Sequence, residues 1–363
     1  MNKELRVLQL IDSLNVGGAE VLAVNIFNLL SNNNDYKSYI CATRQEGDLQ
    51  SKIIQKENYF FLRKKYTVDL GAIYRLRKFV KKNEINIIHA HSTSFFMAFC
   101  MKFVFLNVKV IWHDHYGNSD FLNERNFRSL KFVSNKFDFI ISVNSKLVKW
   151  SNRNLHCKRV MLLNNFAYFN DLETNTILKG EQGKRIVHLA AFRTQKDHLN
   201  LLKSFLITQN EFADWTLHLV GDGNDEKYKN EIVSFINANQ LESKVFLYGV
   251  CLDIKNILSQ ATIGVLASKS EGLPIALLEY GLAKLPVIVT NVGQCNDVVK
   301  NDVSGHVIPK NDSKKLAESI IYLINNEKKR SQFGEELYLE VKNNYSKESY
   351  VNKLTEIYRE VLC

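Results

Sequence analysis

Short apolar runs alternate with longer helical patterns along this chain, and the pattern runs through twice. In the first pass, Leu5–Ile11, Ser38–Ala42, Ile85–Ala90, Lys109–Trp112, Phe137–Val143 and Lys158–Leu163 read as strands. Helical patterns lie among them at Ala19–Leu30, at Phe95–Leu106 and from Ser145 onward. In the second pass the strands are Ile186–Ala190, Thr216–Val220, Lys244–Tyr248, Ile263–Ala267 and Pro286–Thr290, each followed by a helical pattern. Strands alternating with helices predict parallel sheets covered by helices on both faces. Residues 167–184 are polar, and Asn170–Gly183 reads as a linker. The expected class is therefore α/β, with two Rossmann-like doubly wound domains over 1–169 and 170–346. An amphipathic helix, Lys347–Leu362, follows within the segment 347–363, with Tyr350, Val351, Leu354, Ile357, Tyr358 and Val361 on one stripe. It is expected to pack back toward the N-terminal domain.

Composition narrows the partners. The 363 residues are 45% hydrophobic and 24% charged, ordinary for soluble domains with their own cores. The net charge of +10 suits nucleic acid, an anionic membrane surface or phosphate-bearing substrates. No run of Lys or Arg reaches the density of a nucleic-acid arm. The basic stretches Arg63-Lys64-Lys65 and Arg75–Lys82 read as solvated faces, with an anionic membrane surface as the alternative. Six scattered cysteines without a C-x-x-C pair read as free thiols in a reducing compartment. The opening run Leu5–Ile11 is too short for an export signal. Phe95–Leu106 is too short to span a bilayer and carries Lys102, so it reads as a buried helix, or as one resting on a membrane.

Ligands of open α/β sheets sit beyond the carboxyl ends of the strands. After the first strand come Gly17 and Gly18, which open a helix. They suit either close backbone approach to a ligand or a plain tight turn, and they lack the third glycine of a dinucleotide fingerprint. After the strand Ile263–Ala267 comes Ser268 to Glu279. Glu271 and Gly272 lie in its loop, and Pro274 suits the first turn of a helix whose unpaired N–H groups favour an anion. Glu279 falls in an otherwise apolar helix, Ile275–Leu282, where a carboxylate calls for a hydroxyl or cationic partner. His89, His91, His113 and His115 follow two strands at i, i+2 spacing. Four such rings suit structural hydrogen bonding or a metal such as zinc. Asp114 is a candidate partner for either neighbouring ring.

Glu271 and Glu279, with seven residues between them, resemble the E-x7-E motif of the family four retaining glycosyltransferases, which have the GT-B fold. The resemblance covers nearly the whole chain. Gly17-Gly18-Ala19-Glu20 is similar to that family's N-terminal glycine loop, and Val220-Gly221-Asp222-Gly223 to its second-domain V-G-x-G turn. Phe246-Leu247-Tyr248-Gly249 resembles its F-x-G strand end. Asn291-Val292-Gly293 through Asp297 resembles its G-x-x-E turn, with Asp in place of the usual Glu.

What the resemblance implies is a transfer of sugar from a nucleoside-diphosphate sugar to an acceptor hydroxyl, in a cleft that the two domains face. Glu279 would hold the ribose hydroxyls and Glu271 the donor sugar. The backbone of Gly272, Leu273, Pro274 and Ile275 would meet sugar and phosphate, with Gly221 and Gly223 on the donor side. Arg193 and Lys196 would neutralise the leaving diphosphate. His115, with His113 as the alternative, would stand near the transferred sugar, and Gly17 and Gly18 on the acceptor side. The family uses no metal and no cofactor beyond its donor. Its acceptors are glycans or lipid-linked glycans of bacterial surface polysaccharide and lipopolysaccharide, built in the cytoplasm or peripherally at the inner face of the membrane.

Three rivals share the pattern: a Rossmann oxidoreductase, a sugar-nucleotide epimerase and a non-catalytic partner subunit. The incomplete glycine fingerprint argues against the first. The intact Glu271, Glu279 and Lys196 argue against the last.

Overall fold

A computed structural model describes residues 4–104, 107–169, 175–223 and 225–363. The end of the predicted helix Phe95–Leu106 and residues 170–174 of the predicted linker lie outside them. The chain divides into two compact units. The first holds Met1–Tyr116, Phe121–Asn165 and Lys347–Cys363; the second holds Gly117–Asp120 and Phe166–Ser346.

The first unit is built on strands β1 (Leu5–Ser13), β2 (Tyr36–Gln45), β3 (Tyr59–Phe61), β4 (Ile87–His91), β5 (Lys109–Asp114), β6 (Phe139–Ser142) and β7 (Val160–Leu162). Their order is β3-β2-β1-β4-β5-β6-β7, all parallel. The second unit uses β8 (Arg185–Leu189), β9 (Thr216–Val220), β10 (Val245–Leu247), β11 (Ile263–Leu266), β12 (Val287–Thr290) and β13 (His306–Ile308). Their order is β10-β9-β8-β11-β12-β13, again parallel. Central strands such as β11 and β12 are buried at every position, which is why they read as continuous apolar runs.

The order of each sheet reverses once, between β1 and β4 in the first and between β8 and β11 in the second. Chains leaving two such strands diverge to opposite sides and leave a crevice at their carboxyl ends. Topology alone thus selects four loops for function: those after β1, β4, β8 and β11.

The helix Lys347–Leu362 belongs to the first unit. It buries Tyr350, Leu354, Ile357, Tyr358 and Val361, each contributing about 1.5–3 kcal/mol by removal from water. Tyr36 of β2 and Thr355 of this helix also share a hydrogen bond. The helix Phe95–Val104 buries Met97, Ala98 and Met101, while Phe103 on its other side is 60% exposed. The basic stretch near residue 64 is not wholly solvated either: Lys64 is buried, which pulls its ammonium below the usual lysine range.

Candidate active site

The second unit brings its predicted residues together by strand adjacency. β8 and β11 are hydrogen-bonded neighbours, so the loops leaving their carboxyl ends meet. The loop after β8 carries Arg193 and a short turn, Thr194–Lys196; the loop after β11 carries Ser268 to Pro274. Across the junction Lys196 Nζ stands 2.6 Å from Glu271 Oε1. Ser268 Oγ donates to the same oxygen at 2.6 Å. Glu271 is only 3% exposed, so this ion pair is largely desolvated and its carboxylate depends on those two donors.

The Glu271 loop is clamped from several sides. Gln195 Nε2 donates to the Ser270 carbonyl at 2.7 Å, and Ser119 Oγ donates to the Glu271 carbonyl at 2.5 Å. Gln294 N donates to the Gly272 carbonyl at 2.9 Å. Gly293 sits in the left-handed region at φ +56°, and a Cβ there would lie 2.3 Å from the Glu271 carbonyl oxygen. Only glycine lets the loop after β12 approach this closely. Gly221, at φ +136°, serves the same end beside the Ala190 carbonyl oxygen, 2.4 Å from where its Cβ would be.

The helix that follows spans Ile275–Leu282, as predicted. Pro274 stands one position earlier than its sequence suggested, as the cap residue with φ −72° and ψ 125°. It has no side-chain hydrogen bond to give the first turn, so that end stays suited to an anion. Glu279 lies on this helix and is half-buried. Arg193 has an exposed side chain. Gly223 adjoins the Phe192 backbone, its Cβ position 2.5 Å from that carbonyl oxygen.

The first unit gathers the four histidines in the same way. β4 and β5 are neighbours with His91 opposite His113, and the i, i+2 spacing puts all four rings on one face. The His113 and His115 ring centroids are 4.0 Å apart, and those of His89 and His91 4.4 Å. His89 Nε2 lies 3.1 Å from His113 Nδ1, and His91 Nδ1 lies 3.0 Å from His115 Nε2. Burial holds His89 and His115 neutral, with pKa values pushed down to about 3; for His89 the neighbouring His115 adds to the effect. His113 is fully buried, whereas His115 keeps part of its surface open. Nitrogens of His89, His91 and His113 lie within 4.8 Å of one another, a spacing that would suit a metal ion. Their hydrogen bonds, however, engage these rings with each other, with His115, and with Gln9 and Tyr358.

Asp114 does not partner a histidine. It forms a two-pronged pair with Arg125 at 2.7 and 2.8 Å, and Arg125 stacks over Trp150 and Tyr116. At Gly18 a Cβ would meet nothing within 4 Å, so the helix start Gly18–Ser31 is sterically open.

Residues 16–166 match the family described as Glycosyltransferase Family 4, and residues 170–339 match Glycosyl transferases group 1. The chain belongs to the family four glycosyltransferases. An Escherichia coli UDP-Gal:alpha-D-GlcNAc-diphosphoundecaprenol alpha-1,3-galactosyltransferase is 24% identical, over 96% of this chain and 95% of its own. The Staphylococcus aureus capsular polysaccharide biosynthesis glycosyltransferase CapH is 22% identical, over 81% of this chain and 83% of its own. Anabaena HepE, solved in complex with UDP-glucose, superposes with a TM-score of 0.79 at 15% identity, covering 97% of this chain and 99% of its own.

Sequence reading of this glycosyltransferase missed several residues that hold the candidate site. Ser268 was visible only as the first member of a motif. Its role needs Glu271 to fold back over the strand end, which spacing does not reveal. Gln195 and Ser119 act through backbone carbonyls and carry no motif at all. Gln9 and Tyr358, which hold the histidines, lie 349 positions apart.

Proposed function

We propose that this enzyme transfers a sugar from a nucleoside-diphosphate sugar to an acceptor hydroxyl with retention of configuration. The observation that carries the reading is the buried Lys196–Glu271 pair at the β8/β11 switch point, directly before a helix whose first turn lacks a side-chain cap. A nucleoside-diphosphate sugar carries both chemistries this junction answers. Its diphosphate suits Lys196, Arg193 and the helix start, and its sugar hydroxyls suit the Glu271 carboxylate. Glu279, further along the helix, holds the ribose hydroxyls. Lys196 then exchanges Glu271 for phosphate as the donor enters, and stabilises charge on the leaving diphosphate. The departing phosphate oxygen takes the proton of the incoming hydroxyl, so the reaction needs positioning and charge stabilisation rather than a protein nucleophile. His115 and the Gly17–Gly18 helix start serve the acceptor side. No metal takes part in this scheme.

Calorimetry with nucleoside-diphosphate sugars tests the donor assignment. Glu279→Ala is expected to weaken donor binding by about 100-fold, the loss of hydrogen bonds to a charged group. Equal affinity in the variant would remove Glu279 from the site.

The acceptor belongs, on this reading, to bacterial surface polysaccharide or lipopolysaccharide synthesis and is a glycan or lipid-linked glycan. A lipid-linked acceptor calls for contact with an anionic membrane. Tyr66, Val68, Leu70 and Tyr74 are exposed beside the exposed cations Arg63, Lys65, Arg75 and Lys78. Apolar insertion next to basic charge is the chemistry of peripheral binding. Among the described residues no helix is long and apolar enough to cross a membrane. Co-sedimentation with anionic vesicles at low salt, reversed by high salt, is expected; failure to pellet would rule the surface out.

A further inference from the structure

Gln9 of β1 sits opposite His89 of β4 in the sheet register. Its amide reaches two partners at once. Gln9 Oε1 lies 2.9 Å from His91 Nε2, and Gln9 Nε2 lies 3.2 Å from the Tyr358 hydroxyl. An amide oxygen only accepts and an amide nitrogen only donates, so each contact has a fixed direction.

Followed outward, those directions settle every ring. His91 Nε2 must carry a proton to donate to the amide oxygen. Neutral His91 then has a bare Nδ1, which accepts from His115 Nε2–H 3.0 Å away. His115 is left with a bare Nδ1. On the other side, the Tyr358 oxygen accepts from Gln9, and its own proton goes to His89 Nδ1 at 2.7 Å. His89 Nε2–H donates to His113 Nδ1 at 3.1 Å. His113 therefore ends in Nε2–H, a buried atom with no protein partner among the described residues. Burial keeps all four rings neutral, which this bookkeeping of protons requires.

We infer that Gln9 polarises two histidine chains in opposite senses, so that they end in one donor, the covered His113 Nε2–H, and one acceptor, Nδ1 of the partly open His115, on rings 4.0 Å apart, and that a sugar hydroxyl entering beside His115 engages both as it uncovers the His113 nitrogen. Turning the Gln9 amide over would reverse both chains together, so the ends stay complementary either way. A hydroxyl both donates and accepts, and it satisfies the pair in full. It would also give the buried His113 nitrogen a partner. Gln9 and Tyr358 are positioning residues, acting through the rings they orient. The inference rests on the reading of His115 as part of the transfer site.

Imidazole 15N shifts of the histidine-labelled full chain test it, with single His variants for assignment. All four rings are expected to share one tautomer, protonated at Nε2 and bare at Nδ1. Mixed tautomers in the wild type would overturn the inference. In Gln9→Glu the carboxylate accepts from Tyr358, so His89 and His113 are expected to switch to Nδ1–H while His91 and His115 do not. Tyr358→Phe provides a second perturbation: His91 and His115 keep Nε2–H, and the His89–His113 chain loses its proton source. A packing role for either residue predicts no tautomer change. Steady-state kinetics of Gln9→Glu then locates the hydroxyl. A rise of about tenfold in KM for donor or for acceptor, with kcat less affected, identifies which substrate carries it. Switched tautomers with both KM values unchanged would overturn the hydroxyl role of His113 and His115. That outcome would leave donor binding at Glu279 intact, so the two readings fail separately.

Discussion

Lys196→Ala is expected to lower kcat by about 10²–10³-fold, the usual loss when one charge-stabilising donor leaves a water-poor site. It should also destabilise the second unit, because Glu271 is 3% exposed and loses its cation. Breaking a buried pair costs about 3–5 kcal/mol. The low end applies here, since Ser268 still donates to the same carboxylate oxygen and Lys196 retains 20% of its side-chain surface. The two effects separate in the double variant Lys196→Ala with Glu271→Gln. A neutral amide needs no cation, so stability should return while activity stays lost. Urea unfolding and steady-state rates check both. Full activity in Lys196→Ala would show that the ion pair is structural only.

The second large effect is acid lability of the first unit. An unfolded histidine titrates near 6.5, but native His89 and His115 are held at about 3, with His91 and His113 also well below the ordinary value. Because the native pKa is depressed, below pH 6.5 the unfolded chain binds protons that the native chain refuses. The folded state is then fully favoured above about 6.5 and loses stability as pH falls toward 3. Each such ring contributes about 1.4 kcal/mol per pH unit in that window. Four coupled rings set an upper limit of roughly 5 kcal/mol per unit, against a typical domain stability of 5–15 kcal/mol. Cooperative unfolding is therefore expected within about two pH units below 6. Circular dichroism melts from pH 7 to pH 4 would show it as a steep fall in Tm that starts near pH 6.5. A Tm unchanged from pH 7 to pH 5 would mean the rings titrate normally in the native state.

The fold was legible because a parallel sheet buried on both faces leaves unbroken apolar runs. Thr216–Val220 and the helices Ile275–Leu282 and Lys347–Leu362 match their predicted limits. The strands Tyr59–Phe61 and His306–Ile308 were not predicted. Each has three residues at a sheet edge, too few to show a period. The site was legible in part. Glu271 announces itself by following a strand, and Lys196 by following another. That they touch depends on β8 and β11 being neighbours, which strand order decides and local pattern does not. Asp114 shows the reverse failure: adjacency in sequence suggested a histidine partner, and Arg125, eleven residues on, took both oxygens.

The most direct test of the central claim is thermal stabilisation by a panel of nucleoside-diphosphate sugars. A ligand present at about 100 times its Kd adds about 2.7 kcal/mol by mass action. At least one donor is expected to raise the Tm of the wild type, and Glu279→Ala should lose that response. No shift with any donor, or an equal shift in Glu279→Ala, would contradict the account.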